Sequence, residues 1–358
     1  MTTRKVKLQF RIERREAPAW FRGIIPLLAV GVTLILVAGL VWLSGANLLQ
    51  TYYYFFIKPL TNRTSVIEVL VKSTPLLLTG AAVAFAFYTG YWNIGAEGQL
   101  YAGAMTAAWL GVVLKGLPAF ILIPLLLVGS ALVAALWALP PAWLKTRLNV
   151  DEVVTTLLLN SVMIFFVSAL LNGPWRDPVT NWPQSPTIVQ AAQLPRLLAR
   201  TRLHLGFLIA VLALLFFWWV TAYTSFGLRM RAVGRGREAA RFMGVQVDQV
   251  VFRVALLSGA IAGLAGASEV AGLHYHLIEA ISPGYGYSGI VAATLGGLHP
   301  LGVALAALFI GLISTGAQTA SRALSVPSFL GDVIQAVLLL VTLAMLLLRN
   351  YRIHLVQK

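Results

Sequence analysis

Cysteine is absent from the 358 residues, which excludes disulfides, thiolate nucleophiles and cysteine-held metals. Charge is scarce: 11% of residues are Asp, Glu, Lys or Arg, against about 25% in a soluble domain. Acidic residues are the scarcest, 12 against 27 basic ones. The five histidines (204, 274, 276, 299 and 354) make no metal-ligand set. No GxxxxGK[ST] stretch occurs, so this phosphate-cradling device is missing. No Ser/His/Asp grouping has a nucleophile-elbow setting. Neither an acid–base nor a metal constellation supports a membrane-embedded enzyme, and no cofactor is expected.

What is present is apolar. Hydrophobic residues make up 59% of the chain and mean hydropathy is +0.82. The runs predict an all-α polytopic membrane protein with about ten transmembrane helices. Expected spans cover about 24–44, 66–89, 100–115, 119–139, 153–172, 204–222, 251–273, 286–299, 301–321 and 331–348. Residues 1–23 read as a basic cytoplasmic tail, held inside by Arg4, Lys5, Lys7, Arg11, Arg14, Arg15 and Arg22. The following run is long enough to span, unlike a cleavable signal. The domain then covers 24–348, with a cytoplasmic loop at 223–250 and a second cytoplasmic tail at 349–358. Pro140 and Pro141 are expected to close the fourth span, and a short surface helix to lie within 187–203.

The net charge of +15 does not indicate nucleic acid, because the basic residues cluster between apolar runs, as membrane orientation requires. With both termini inside, 18 of the 27 Lys and Arg fall in inner segments. Arg196, Arg200 and Arg202, on the outer side, run against that bias.

Two Gly-rich interruptions stand out: TGYWNIGAEG from Thr89 and PGYGYSGI from Pro283. Each follows a span and precedes small-residue helix. Their opposite orientation, five spans apart, fits an inverted repeat with broken helices at mid-membrane. Span 7 carries SGAIAGLAGAS (258–268), whose Gly259, Gly263 and Gly266 permit close helix approach.

Polar residues at membrane depth have two readings. Asn93, Glu97 and Gln99 either line a path for a polar solute or cap the following helix and hold the broken backbone together. Asn160 and Glu269, alone among apolar neighbours, either join that path or bond between helices. Asp151 and Glu152 open span 5 as dipole-stabilised carboxylates or as a second contact for an inner partner.

The most basic stretch between two spans is 228–253. Arg237 to Val245 (REAARFMGV) predicts a short helix, with Glu238 and Arg241 on a charged face. Ala239, Phe242, Met243 and Val245 supply its apolar side. Gly234 and Gly236 loosen the chain before it, and Gly244 stops it. An apolar-spotted helix held off the bilayer predicts a docking element for another protein.

At this point the residues resemble a family. WNIGAEGQLYAGAMTAAWLG (92–111), NVDEVVTTLLLN (149–160), AVGRGREAARFMGV (232–245) and the Gly-rich stretch from Gly284 are similar, in order, to motifs of bacterial permease subunits from ATP-driven importers for nucleosides and simple sugars. The resemblance covers about 70 to 320. The family commonly has Asn at the position of Gly236, and often Phe at that of Trp92. The resemblance implies a membrane-spanning ABC importer permease in the inner membrane. It assigns ATPase coupling to Gly234, Arg237, Glu238, Ala239, Ala240, Arg241, Phe242 and Gly244. It implies a separate ATPase subunit, a second and paralogous permease, an extracytoplasmic solute-binding lipoprotein and a surrounding lipid bilayer. The competing expectation is a stand-alone ion- or proton-coupled carrier, which needs a titratable relay and finds only Glu97 and Glu269.

Overall fold

The computed structural model describes residues 8–14, 19–43, 45–325, 327 and 329–357. Of the expected tail residues, Arg4, Lys5, Lys7 and Arg15 lie outside the described residues. The first half contains α1 (Ala19–Leu43), α2 (Leu48–Tyr52), α3 (Arg63–Phe87), α4 (Ala96–Val113), α5 (Ala119–Trp137), α6 (Leu139–Leu148) and α7 (Glu152–Asn172). The second contains α8 (Gly206–Tyr223), α9 (Ser225–Arg235), α10 (Arg237–Phe242), α11 (Val247–Glu269), α12 (Tyr285–Leu295), α13 (Pro300–Leu324) and α14 (Leu330–Asn350). One exception to helix is a two-stranded antiparallel ribbon between the tails. It joins β1 (Leu8–Arg14) to β2 (Tyr351–Gln357), with Leu8 opposite Gln357.

Among the described residues, 7 helical stretches are long and apolar enough to cross a membrane, against about ten expected. The shortfall has physical causes. In α4, apolarity is diluted by Glu97, Gln99 and Thr106, and its first half is enclosed by protein, so it needs no lipid-compatible surface. α12 has only 11 residues, too few to cross a bilayer. Pro140 and Pro141 do not end the fourth helical stretch. They sit in the first turn of α6, where a missing N–H costs no hydrogen bond, and helix continues to Leu148. The expected surface helix within 187–203 is a single 3₁₀ turn, Gln190–Ala192. That segment spends its backbone elsewhere: Val189 N–H donates to Gly111 O and Leu194 N–H to Ala271 O.

At the centre, α3 and α11 run antiparallel. Ser258 Oγ, in the first half of α11, donates to Ala82 O, late in α3, at 2.7 Å. α3 packs on α12 and α13, while α11 packs on α4 and α5. α4 contacts α5 and α7, as α12 contacts α13 and α14. The two runs α3–α4–α5–α7 and α11–α12–α13–α14 thus pack equivalently in opposite directions, which is the arrangement of an inverted repeat. Close approach holds them: a methyl at Gly263 or Gly266 would overlap Ser130 or the Leu100–Ala104 backbone, so small residues set this spacing.

Two ends of the bundle follow. The near end carries α6, α9, α10, the ribbon and the break after α3. The far end carries residues 45–62, residues 173–205 and the break after α11.

Candidate functional site

The first break, Tyr88–Gly95, is held by one face of α7. Glu152, Thr156 and Asn160 recur every four residues, so they stack along that face. Thr156 Oγ1 accepts from Ile94 N–H at 3.2 Å, and Asn160 Oδ1 accepts from Gly98 N–H at 2.8 Å. Asn160 Nδ2 donates to Ile94 O at 2.9 Å and to Tyr287 Oη at 3.3 Å. Trp92 N–H points at Glu152 Oε1, 3.5 Å away. Backbone groups that no helix ladder satisfies are therefore satisfied by side chains, as the interior of a membrane protein demands.

Asn93 and Gln99 bond to each other. Asn93 Nδ2 donates to Gln99 Oε1 at 3.0 Å and to Ser258 Oγ at 2.9 Å. Asn93 Oδ1 accepts from Gly95 N–H at 2.9 Å and from Gln99 Nε2 at 3.2 Å. All three amides at this junction, Asn93, Gln99 and Asn160, are buried.

Glu97 belongs to the second break. Its Oε2 accepts from Gly286 N–H at 2.6 Å, placing a carboxylate on the N-terminal turn of α12, where the helix dipole favours negative charge. Gly286 lies so close to Ala96 and Glu97 that a methyl there would overlap their backbone. The two half-helices α4 and α12 meet N-terminus to N-terminus. Asn93, Glu97, Gln99 and Asn160 are brought together here. Glu269 is not: it is buried at the far end of α11, 3.7 Å from His274 Nε2, and begins the π-turn Val270–His274.

The near end joins this junction to the basic segment. α9 is a full helix that passes through Gly234, which was expected to loosen the chain. Its lack of a side chain instead admits the Tyr88 carbonyl. Gly236 is extended (φ 175), a conformation open to any residue. α10 ends at Phe242, and Gly244, with φ +82, caps it as expected: its N–H donates to Arg241 O, and Val245 N–H to Ala240 O.

Ala240 faces inward, whereas Ala239 does not. Phe242 is 98% exposed and Met243 69%, an apolar tip with no cover from this chain. Arg241 pairs with Asp248 at 2.9 Å, and Glu238 is exposed. Arg237 turns back: its Nη2 donates to Gly90 O at 2.9 Å and lies 3.7 Å from Glu152 Oε1.

Asp151 caps α7 by accepting from Val153 N–H at 2.8 Å. Glu152 does more than was expected of a first-turn carboxylate. It is buried, pairs with Lys145 at 2.7 Å and joins α6, α7, α10 and the break. Sequence reading missed Thr156 and Ser258. The four-residue spacing of Glu152, Thr156 and Asn160 was the available signal for Thr156; Ser258 lies within the small-residue run.

Comparison with known proteins places the chain in a family. Residues 65–345 match the family model for the permease component of the branched-chain amino acid transport system. A glucose ABC transporter permease protein of Haloferax volcanii is 36% identical over 352 residues, covering 95% of this chain and 92% of that protein. A guanosine ABC transporter permease protein of Bacillus subtilis is 34% identical, covering 89% and 90%. A nucleoside ABC transporter permease protein of Lactococcus lactis is 28% identical, covering 82% and 83%. With its broken half-helices and a basic turn rooted in one of them, this chain belongs to the branched-chain amino acid transport system permease family and is a permease subunit of an ABC importer.

Proposed function

We propose that the chain translocates a nucleoside or simple sugar across the inner membrane of a bacterium, with work supplied by a separate ATPase subunit. The near end and both termini face the cytoplasm, in keeping with Lys145, Arg147 and the arginines of α9 to α11 there. The ATPase seats Phe242 and Met243, whose exposure calls for an apolar cover. A second permease completes the assembly; B. subtilis and L. lactis each have a second permease protein of the same named substrate that this chain also resembles. An extracytoplasmic solute-binding lipoprotein delivers the solute at the far end.

The observation that carries this reading is the hydrogen bond from Arg237 to the Gly90 carbonyl. Through it, displacement of α10 acts directly on the first broken helix. Phe242→Asp with Met243→Asp is expected to abolish co-purification with the ATPase and leave the spans folded. Import into proteoliposomes is expected only with ATP and the ATPase subunit. Uptake driven by a proton gradient without an ATPase chain would overturn the proposal.

A further inference from the structure

Two grooves of the chain occupy equivalent places in the repeat. One, of about 670 Å³, lies at the near end between α6 and the start of α11, lined by Trp143, Arg147, Arg241, Phe252 and Arg253 among others. Its counterpart, of about 540 Å³, lies at the far end between the start of α3 and the end of α13. The linings differ in kind. The near groove is aromatic and cationic, as suits a protein partner. The far groove presents the hydroxyls and amide of Thr64, Ser65, Thr315, Gln318 and Thr319, beside Arg202 and Arg322. Its one carboxylate, Glu68, is paired to Arg202.

Both walls are built in the sequence. Ser65, Glu68 and Lys72 recur at three and four residues on α3, as Thr315, Gln318 or Thr319, and Arg322 do on α13, so each helix turns one polar stripe to the other. Among the described residues, the side chains of Thr64, Ser65 and Gln318 make no hydrogen bond to protein. One turn deeper than Glu68, Lys72 Nζ donates to Ser314 O at 3.1 Å. The Ser314 hydroxyl accepts from Gln335 Nε2 at 3.2 Å, and Gln335 Oε1 accepts from Ser288 Oγ at 2.7 Å. Ser288 is in the first turns of α12, the half-helix capped by Glu97. A polar chain thus runs from below the groove to the second break.

We propose that this far-end groove is a binding site for an uncharged, polyhydroxylated solute: a sugar, or the ribose of a nucleoside. Hydroxyl-rich ligands need donors and acceptors in close alternation. Thr, Ser and Gln side chains supply both, and a groove of this size holds a molecule of about 20 heavy atoms. The inference deepens the proposed transport function by naming where the solute is first held on the permease.

The test uses the full-length chain with its ATPase, in lipid nanodiscs and without the binding protein. Equilibrium binding of radiolabelled guanosine and of radiolabelled glucose is measured. Saturable binding of at least one probe is expected. Thr64→Val with Gln318→Leu is expected to weaken it about tenfold or more, the loss that one or two hydrogen bonds produce. Gly39→Ala, which touches neither groove, leaves it unchanged. If the double variant melts below wild type, Ser65→Ala alone replaces it, with a smaller loss expected. Absence of saturable binding by either probe overturns the proposal. So does binding that is indifferent to the groove variants. A chain that holds its ATPase but binds neither probe overturns the groove alone. One that binds a probe but not the ATPase overturns the coupling reading instead.

Discussion

Arg237 Nη2 and the Gly90 carbonyl oxygen are 2.9 Å apart, and this bond joins a six-residue helix outside the spans to the unwound backbone of the first break. Gly90 sits there at φ +69, in the left-handed region that favours glycine. The same guanidinium lies near Glu152, which Lys145 also holds. Arg237→Ala is expected to leave the proposed ATPase seat at Phe242 intact while uncoupling hydrolysis from uptake. A partly exposed charge-assisted bond of this kind contributes on the order of 1 kcal/mol, so uptake per ATP hydrolysed should fall about fivefold. Paired measurements of hydrolysis and uptake in proteoliposomes check this. A proportional loss of both would place Arg237 in ATPase docking instead.

Glu97 gives a second test, because a cap and a proton carrier respond differently to the same change. Glu97→Gln keeps an oxygen that can accept from Gly286 N–H; Glu97→Ala removes it. If the carboxylate caps α12, the glutamine variant retains most uptake, whereas the alanine variant loses about 1–2 kcal/mol of stability and much of its uptake. Thermal melting and uptake of both variants decide this. A glutamine variant as inactive as the alanine one would mean that ionisation itself is required.

Glycines at the seams should divide sharply. Gly286→Ala drives a methyl into the Glu97 backbone, and overpacking of this type costs about 1–3 kcal/mol or more. Gly39, in α1, has nothing within 4 Å of where its methyl would lie. Gly39→Ala should be neutral or stabilise by up to about 1 kcal/mol through helix propensity. Melting in detergent is the measurement. Equal effects at the two positions would show that the α4–α12 junction is looser than its geometry.

These glycines also mark what sequence can reveal. The breaks at Thr89 and Pro283 are legible because Gly runs interrupt apolar periodicity, and Gly244 is legible as a helix stop. The meeting of Glu97 with Gly286 is not, since 189 residues separate them and only the antiparallel packing of the two repeats brings them together. The apolar tip of α10 is visible in its composition; the inward turn of Arg237 depends on where the first break lies in space. Span counting fails at α4 for a related reason. Hydropathy measures what lipid tolerates, and α4 is surrounded mainly by protein.

Outside the spans, Asp177 offers a pH-dependent readout. Its carboxylate accepts from Thr180 Oγ1 at 2.6 Å and from Val179 N–H at 3.1 Å. These bonds hold its pKa below the ordinary Asp value, with the Thr180 bond contributing most. A depressed folded-state pKa stabilises the loop above the ordinary Asp value. That contribution is lost as pH falls through the folded value. Hydrogen exchange across 177–185, corrected for intrinsic rate, should show constant protection from neutral pH down to the ordinary Asp range and loss of protection below it. Asp177→Asn should flatten the profile. A wild-type profile already flat would remove the carboxylate from the account.

Asn160 separates the two readings of the amides at the break. Every polar atom of its side chain is engaged: Oδ1 with Gly98 N–H, and Nδ2 with Ile94 O and Tyr287 Oη. Asn160→Leu strands the Gly98 donor and the Ile94 acceptor in a buried setting, at about 1–3 kcal/mol for each group. Asn160→Asp keeps the acceptor for Gly98 but sets a second oxygen against the Ile94 carbonyl. Both variants are therefore expected to lower melting temperature and yield, with leucine at least as damaging, while the protein that folds keeps its apparent affinity for solute. A residue that lines the path would behave in the opposite way, with normal melting and a changed affinity. Measuring both quantities on the same preparations decides whether α7 holds the broken backbone or contacts the solute.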